Sequence, residues 1–327
     1  MSELQFKLVQ LLAGGRWCSG AWLGRELGVS RTAVWKHLQG LAEWGLDLHA
    51  VQGKGYRLAH AIELIDMDAL PQWLQPELQS RLRPEYYLSL DSTNRLALER
   101  TQQADAGGVL IIAEHQRQGR GRRGRQWISP FAQNIYLSLV WEFETGPGSL
   151  EGLSLVVGLA LAQALERLGV EGVALKWPND VWVQGRKVAG ILLELNAEAS
   201  GRCQVVIGVG INVDMHSEDA ASIDQPWCSL RPYLPTDVGR TQLLAALLNR
   251  LVPLLEAFQL GGFAPLREEW LKYGLWLNQA VSLTSGAQQI DGVLTGIDLG
   301  GGLELQTAQG RQVFYGGEVS VRAKLTP

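Results

Sequence analysis

Apolar residues at helical spacing open the chain: Phe6, Leu8, Val9, Leu11 and Leu12 predict a first helix. Ser19 can cap a second that continues through Leu27, Gly28 supplies a tight turn, and Ser30 can cap a third from Arg31 to about Trp44. On the third, Val34, Leu38 and Leu41 recur at i, i+4 and i+7 and face a core, so Arg31, Thr32, Trp35, Lys36 and Gln39 point outward. Two short helices joined by a glycine turn, the second presenting basic and polar residues, fit a helix-turn-helix whose recognition helix enters a DNA major groove. VQGKGYRL at 51–58 predicts a hairpin with Lys54 at its tip, the wing of a winged helix. The plainer alternative is a small helical domain with no nucleic-acid partner.

Beyond this module polarity is mixed as far as Pro84, and Pro71, Pro76 and Pro84 break any long helix, which predicts a linker with a short helix near Ala69 to Leu74. EYYLSL (85–90) and VLIIAEH (109–115) predict strands around a helix RLALERTQQ (95–103). NIYLSLVWEF alternates as a strand does, and SLEGLSLVVGLALAQALERLG predicts a long buried helix. VALKW, DVWV, KVAGILLEL and CQVVIGVGI follow as strands, with a hairpin turn at Gln184-Gly185, before two helices in TQLLAALLNRLVPLLEAF and PLREEWLKY. The end of the chain reads AVSLTSG, GVLTGID, GLELQTA, RQVFYGG and EVSVR, short strands separated by glycines, the pattern of a small β-barrel.

With 327 residues, 46% hydrophobic and 19% charged, the chain suits two or three globular domains rather than a disordered or fibrous class. Its start, MSELQFKLVQ, has no basic and apolar leader, and its most apolar stretch, 153–165, is too short to span a membrane. Cys18, Cys203 and Cys228 are odd in number and lack a CxxC spacing, which fits a reducing cytoplasm and argues against a disulfide framework or zinc site. The formal net charge is -4, yet residues 1–58 carry seven cations against four anions, so the N-terminal module is suited to an acidic polymer.

One cationic segment stands out elsewhere. GRGRRGRQW at 119–127 sets Arg120, Arg122, Arg123 and Arg125 among three glycines, so a close-approaching backbone carries forked donors suited to phosphate or carboxylate. A solvated surface loop is the plain alternative. The run satisfies G-x-G-x-x-G, but QWISPF follows it, and Pro130 with no helical periodicity removes the helix that a dinucleotide fingerprint needs. No Walker A signature is present. Two further stretches are KWPND (176–180), with Lys176, Asn179 and Asp180 at a strand end, and GRKVAG (185–190), with Lys187 leading into an apolar strand. Alone each reads as a turn or a surface lysine; with the Asp91-Ser92-Thr93-Asn94 corner and the arginine loop they suggest converging polar groups.

In this order and spacing, DSTN, GRGRRGRQW, KWPND and RKVAG resemble the biotin protein ligases, and the N-terminal module makes the chain similar to the bifunctional biotin ligase and biotin operon repressors of bacteria. The similarity covers essentially the whole chain. It implies an α+β protein: a winged helix-turn-helix at 1–60, a linker at 61–84, a class II synthetase-like catalytic domain with a mixed sheet at 85–272, and an SH3-like barrel at 273–327. It implies an ATP-dependent biotin–carrier protein ligase that makes biotinyl-5'-AMP and passes biotin to a lysine of the biotin carboxyl carrier protein of acetyl-CoA carboxylase. The adenylate would also act as corepressor at operator DNA of biotin synthesis genes, on a homodimer.

ATP and biotin are then substrates, with Mg²⁺ on the pyrophosphate and no permanently bound cofactor. The family's roles fall on Ser92, Thr93, Asn94, Gln116, Arg120, Gly121, Arg122 and Lys187 around biotin. Arg123, Lys176, Asn179, Asn212 and Trp227 fall on the nucleotide side, with Trp227 a candidate to stack on adenine or simply a packed indole. Arg122, Lys187, Asp180 and Lys176 are the catalytic candidates, Asp180 as orienter or base for the incoming amine. Ser30, Arg31, Thr32, Trp35, Lys36 and Lys54 are the candidate DNA contacts; metal ligands are not assigned. A lipoate-type acyl ligase and a ligand-sensing repressor with an inactive ligase domain are the competing readings, the second disfavoured because the arginine loop, Asp180 and Lys187 are all present.

Overall fold

The computed structural model describes residues 2–103, 105–144, 150–197, 203–216, 223–285, 288–316 and 319–324. Ser149, Gly286, Gly317 and Glu318 lie outside the described residues, although each belongs to a segment singled out above.

Three helices and a hairpin form the N-terminal module: α1 Glu3–Leu12, α2 Gly20–Leu27, α3 Arg31–Gln39, β1 Leu48–Val51 and β2 Gly55–Leu58. The caps are those the sequence offers. Ser19 Oγ accepts from Trp22 N at 3.1 Å, Ser30 Oγ from Ala33 N at 3.2 Å, and Gly28 closes α2 in the left-handed region at φ 66°. Helix α3 is shorter than predicted. It ends at Gln39, and a 3₁₀ turn over Gly40–Trp44 takes its place. Glycine is a poor helix interior residue, and here a Cβ on Gly40 would lie 2.6 Å from Gln5 Nε2, so the position also admits the α1 side chain. Val34, Leu38 and Leu41 are buried as their spacing predicts.

Residues 61–84 hold the expected short helix, α4 Leu70–Trp73, and a second, α5 Pro76–Gln79. They are packed rather than extended: Ile65, Leu70, Leu78 and Leu82 all enter the main core.

The central unit is a seven-stranded sheet in the order β3-β4-β5-β9-β8-β7-β6, parallel only between β3 and β4. Its strands are β3 Arg83–Tyr87, β4 Val109–Ala113, β5 Ile135–Phe143, β6 Val173–Lys176, β7 Asp180–Val183, β8 Arg186–Ala197 and β9 Cys203–Ile211. Its helices are α6 Thr93–Arg100, α7 Leu153–Arg167, α8 Arg240–Gly261 and α9 Arg267–Leu271. Alternation along the strands sorts residues between two faces. Leu110, Ile112, Ile135, Leu137, Leu139, Val205 and Ile207 join α7 and α8 in one core, while Val109, Ile111, Ala113, Val140 and Val206 pack beside α6 on the other. The C-terminal strands β10 Ala280–Ser285, β11 Gln288–Ile297, β12 Leu303–Thr307, β13 Gly310–Phe314 and β14 Val319–Ala323 form an antiparallel sheet in the order β13-β12-β11-β10-β14.

By length and composition α8 is apolar enough to cross a membrane, and half of its most apolar window is buried. Leu243, Leu244, Leu247, Leu248, Leu251 and Leu255 face the core against α7, so it is a core helix. It starts at a buried charge. The Arg240 guanidinium lies 2.7 Å from Glu114 Oε2, both fully buried, and donates to the carbonyls of Glu63 and Asn134. Glu114 Oε1 accepts from Ile65 N and Tyr86 Oη, each at 2.7 Å. This pair therefore fastens the segment leaving the N-terminal module to the catalytic sheet.

Removing one partner of such a pair strands the other charge in a dry core. Glu114→Ala is expected to lower unfolding free energy by about 3–5 kcal/mol, measured by urea denaturation followed by circular dichroism; a loss below about 1 kcal/mol, the range of an exposed pair, contradicts this role.

Candidate active site

On the α6 side of the sheet, β8 and β9 lose side chains where they lie beside one another. Ser138 pairs with Gly208 and Gly208 with Leu192; one row further along, Tyr136 pairs with Gly210 and Gly210 with Gly190. The floor is thus nearly bare backbone. A Cβ on Gly208 would lie 2.0 Å from Asn94 Oδ1, and one on Gly210 would lie 2.5 Å from the Trp127 indole. Trp127 also bars a Cβ on Gly190, at 2.9 Å. Glycine at these positions lets the start of α6 and the arginine loop rest directly on β8 and β9.

Above this floor lies a cavity of about 410 Å³. Its inner end is neutral and polar. Gln116 Oε1 accepts from Thr93 N at 2.9 Å and Thr93 Oγ1 at 3.2 Å, and Gln116 Nε2 donates to Ser129 Oγ at 3.1 Å. Ser138 Oγ stands 2.8 Å from Thr93 Oγ1 and 2.6 Å from Asn94 Oδ1, while Asn94 Nδ2 donates to Glu194 Oε2 at 2.9 Å. Ser92 Oγ is buried at this end with no partner among the described residues. A buried hydroxyl left unpaired is costly and suits a hydrogen bond from a ligand.

The outer end is cationic. The loop over it is held by Gly121 N to Arg125 O at 2.7 Å and Trp127 N to Gly119 O at 2.9 Å, with Arg123 at φ 58°. Arg120 pairs with Glu194 at 3.0 Å, and Arg122 donates to Asn179 Oδ1 at 2.8 Å. Burial pushes the Arg122 guanidinium below its ordinary value, and the neighbouring Arg123 adds to this. Lys187 Nζ lies 2.7 Å from Asp180 Oδ1 with only 12% and 13% of the two side chains exposed, and 5.5 Å from the Trp127 ring. Lys176 Nζ sits beside two indoles that touch each other, 5.0 Å from Trp182 and 5.4 Å from Trp276. Burial lowers its pKa, against the pull of Asp180, and Lys187 lowers it further.

Of the residues proposed from sequence, Ser92, Thr93, Asn94, Gln116, Arg120, Gly121, Arg122, Arg123, Lys176, Asn179, Asp180 and Lys187 all line this one cavity. Asn212 and Trp227 do not. Asn212 is buried behind β9, and Trp227 pairs through its main chain with Lys187, leaving Asp224, Gln225 and Pro226 at the wall. The wall indoles are Trp127, Trp177, Trp182 and Trp276. Ser138, Glu194, Trp276 and Arg322 complete the site and were missed. Ser138 falls on the polar half of the alternation in NIYLSLVWEF, so its position alone gave no signal of a site. Trp276 and Arg322 come from the C-terminal segment, where no local signal points back to a cleft.

A catalytic sheet with a half-neutral, half-cationic cleft, joined to a helix-turn-helix module, defines a ligase-type enzyme that carries a DNA-binding module. Residues 86–212 match the Biotin/lipoate A/B protein ligase family, 4–57 an HTH domain and 276–322 the Biotin protein ligase C terminal domain. The chain is 40% identical to the Bifunctional ligase/repressor BirA of Escherichia coli, over 98% of each protein. It is 29% identical to that of Bacillus subtilis, over 98% of this chain and 99% of the other. Among solved structures, the biotin protein ligase from Aquifex aeolicus in complex with biotin and ATP aligns with a TM-score of 0.63 at 30% identity, covering 74% of this chain and 99% of that one. The chain belongs to the biotin protein ligase family, with the domain set of its bifunctional ligase/repressors.

The cleft's electrostatics can be read out at one amine. Because Asp180 raises the Lys176 pKa, Asp180→Asn is expected to move the Lys176 titration still further below the ordinary 10.5. In ¹³C-labelled lysine NMR the depressed resonance should shift to lower pH; an upward shift refutes the coupling. The sign for stability follows. Between the depressed folded value and the ordinary one the unfolded chain binds the extra proton, so Lys176 makes stability rise with pH in that window.

Proposed function

We propose that this chain joins biotin to AMP in the cleft and passes the biotinyl group to a lysine of the biotin carboxyl carrier protein of acetyl-CoA carboxylase. The observation that carries this reading is the single cavity whose inner end is neutral with an orphaned hydroxyl and whose outer end is cationic. A ureido ring offers two donors and an acceptor, matching Ser92, Thr93, Asn94 and Gln116. The valeryl chain would lie along the glycine floor, directing its carboxylate towards Lys187 and Arg122.

The first step needs two anions to meet. A biotin carboxylate oxygen attacks the α-phosphorus of ATP, and the bond to pyrophosphate breaks. Arg120, Arg122, Arg123 and Lys176 would neutralise the charge that develops, where one preorganised donor contributes about 3 kcal/mol. Mg²⁺ would enter with the triphosphate as part of the substrate. In the second step the carrier amine attacks the acyl carbon, AMP leaves, and Asp180 accepts or directs the amine proton.

The helix-turn-helix module would repress transcription at operator DNA of biotin synthesis genes with biotinyl-5'-AMP as corepressor, Ser30, Arg31, Thr32, Trp35, Lys36 and Lys54 facing the duplex. A homodimer formed by the adenylate-bound protein would present two such modules to paired half-sites.

Incubation with ATP, Mg²⁺ and either biotin or lipoate, followed by mass spectrometry, tests the catalytic reading. Biotinyl adenylate and a biotinylated carrier are expected; turnover of lipoate alone, or binding without turnover, overturns it. Arg122→Gly removes a guanidinium from over the anhydride, so this variant should release adenylate and label bystander proteins. Strict carrier labelling by Arg122→Gly contradicts a sequestering role for the loop.

A further inference from the structure

Apart from the cleft, cations without an acidic partner gather in the N-terminal module, two of them on the wing. Among the described residues, the one ion pair within 2–60 joins Lys7 to Glu3 at 2.8 Å, so Arg16, Arg31, Lys36, Lys54 and Arg57 have no acidic partner. Two of these cations share one indole. Arg57 lies 4.9 Å and Lys54 5.9 Å from the ring of Trp17. Like charges on one ring repel, and arginine Nε of Arg57 is buried without a hydrogen-bond partner, so nothing in the module balances the pair.

The backbone accounts for the arrangement. Cys18 and Tyr56 exchange two hydrogen bonds at 2.8 Å, forming a single antiparallel bridge that lays the residues before α2 beside the wing. In antiparallel register the residue before Cys18 falls beside the residue after Tyr56, which brings Trp17 to Arg57. Gly55 permits the contact: its φ is 100°, and a Cβ there would lie 2.2 Å from Cys18 O. Gly20 joins the wing to the recognition helix, since its missing Cβ would meet both the Tyr56 ring at 3.1 Å and Arg31 Cγ at 3.2 Å. Arg31 begins α3. The Tyr56 side chain thus packs towards the start of the recognition helix, while the next residue, Arg57, turns to the other face of the strand, where Trp17 and Lys54 meet it.

From this we infer that Trp17 is a positioning residue for DNA binding: its indole holds Arg57 and Lys54 as a preformed cation pair that receives duplex phosphates. The inference rests on the DNA-binding reading of the module and adds Trp17 and Arg57 to it. Stacking on an aromatic face leaves a guanidinium's charge intact while restricting its motion, so less freedom is lost when a phosphate arrives.

Salt dependence reads the number of phosphates neutralised, which a purely structural role for Trp17 would not alter. Affinity of the full-length protein for a short mixed-sequence duplex would be followed by fluorescence anisotropy from about 50 to about 200 mM KCl. Arg57→Ala and Trp17→Leu are each expected to flatten the slope of log affinity against log salt by about 0.9, the value of one phosphate contact. Trp17→Phe keeps an aromatic face and should keep the slope. If Arg31→Ala flattens the slope while folded Trp17→Leu does not, this inference fails and the DNA reading stands. If the unmodified protein binds no duplex, both fail. Should Trp17→Leu lose the module's helical circular dichroism, unchanged slopes in Arg57→Ala and Lys54→Ala overturn the inference.

Discussion

Everything in the cleft depends on three missing side chains. Gly190, Gly208 and Gly210 clear a patch of β8 and β9 in the middle of an otherwise filled sheet, and the two elements that bind there could not approach a strand bearing Cβ atoms. Asn94 settles on Gly208 and from there reaches Ser138 and Glu194. Trp127 settles across the cross-strand pair Gly190 and Gly210, which fixes the far end of the arginine loop. The neutral and cationic ends of the cavity are therefore held at a set separation by one backbone feature. Their chemistry differs because their neighbours do: hydroxyls and amides at the start of α6, guanidinium and ammonium groups along the loop and β8.

The sequence made the motifs legible and their meeting only partly so. DSTN, GRGRRGRQW, KWPND and RKVAG are each local, and the cavity does bring their polar residues together. The N-terminal module was equally readable, since Ser19, Gly28 and Ser30 signal helix ends by side-chain and backbone chemistry that acts over a few residues. The end of α3 was not, because Val34, Leu38 and Leu41 keep helical spacing through a turn that Gly40 has already tightened. Residues 61–84 read as a linker for a related reason. Their buried side chains, Ile65, Leu70, Leu78 and Leu82, are spaced irregularly and docked by partners distant in the chain, Glu114 and Thr241 among them.

Tryptophan was the least legible residue in the site. Twelve occur in the chain, and composition does not tell a wall from a core. Trp227 follows the GVGINVD turn and looked well placed, yet its strand-like pairing with Lys187 puts the preceding Asp224, Gln225 and Pro226 against the cavity instead. Trp127 belonged to the quoted arginine motif, but its part depends on the two glycines opposite one another beneath it. Trp276 meets Lys176 only because the C-terminal segment folds back over the sheet. Pairing between strands distant in sequence carried this information.

The chain also places the same cationic side-chain types in two states of solvation, which would suit the two kinds of anion in the proposed function. In the cleft three largely buried cations are constrained: Arg122 by Asn179, Lys187 by Asp180, and Lys176 beside two indoles. Such groups have already lost much of their water, so a small anion entering beside them gains a strong interaction with little reorganisation. Their partners also prevent a net charge so large that the empty cleft would be unstable. In the N-terminal module Lys36 and Lys54 are exposed and have no acidic partner, a state that suits a polymer whose own counterions are released on contact. A duplex is too wide for a cavity of about 410 Å³, and a single nucleotide gains little from scattered, hydrated cations. Selectivity between the two anions thus follows from burial, before any specific contact is considered.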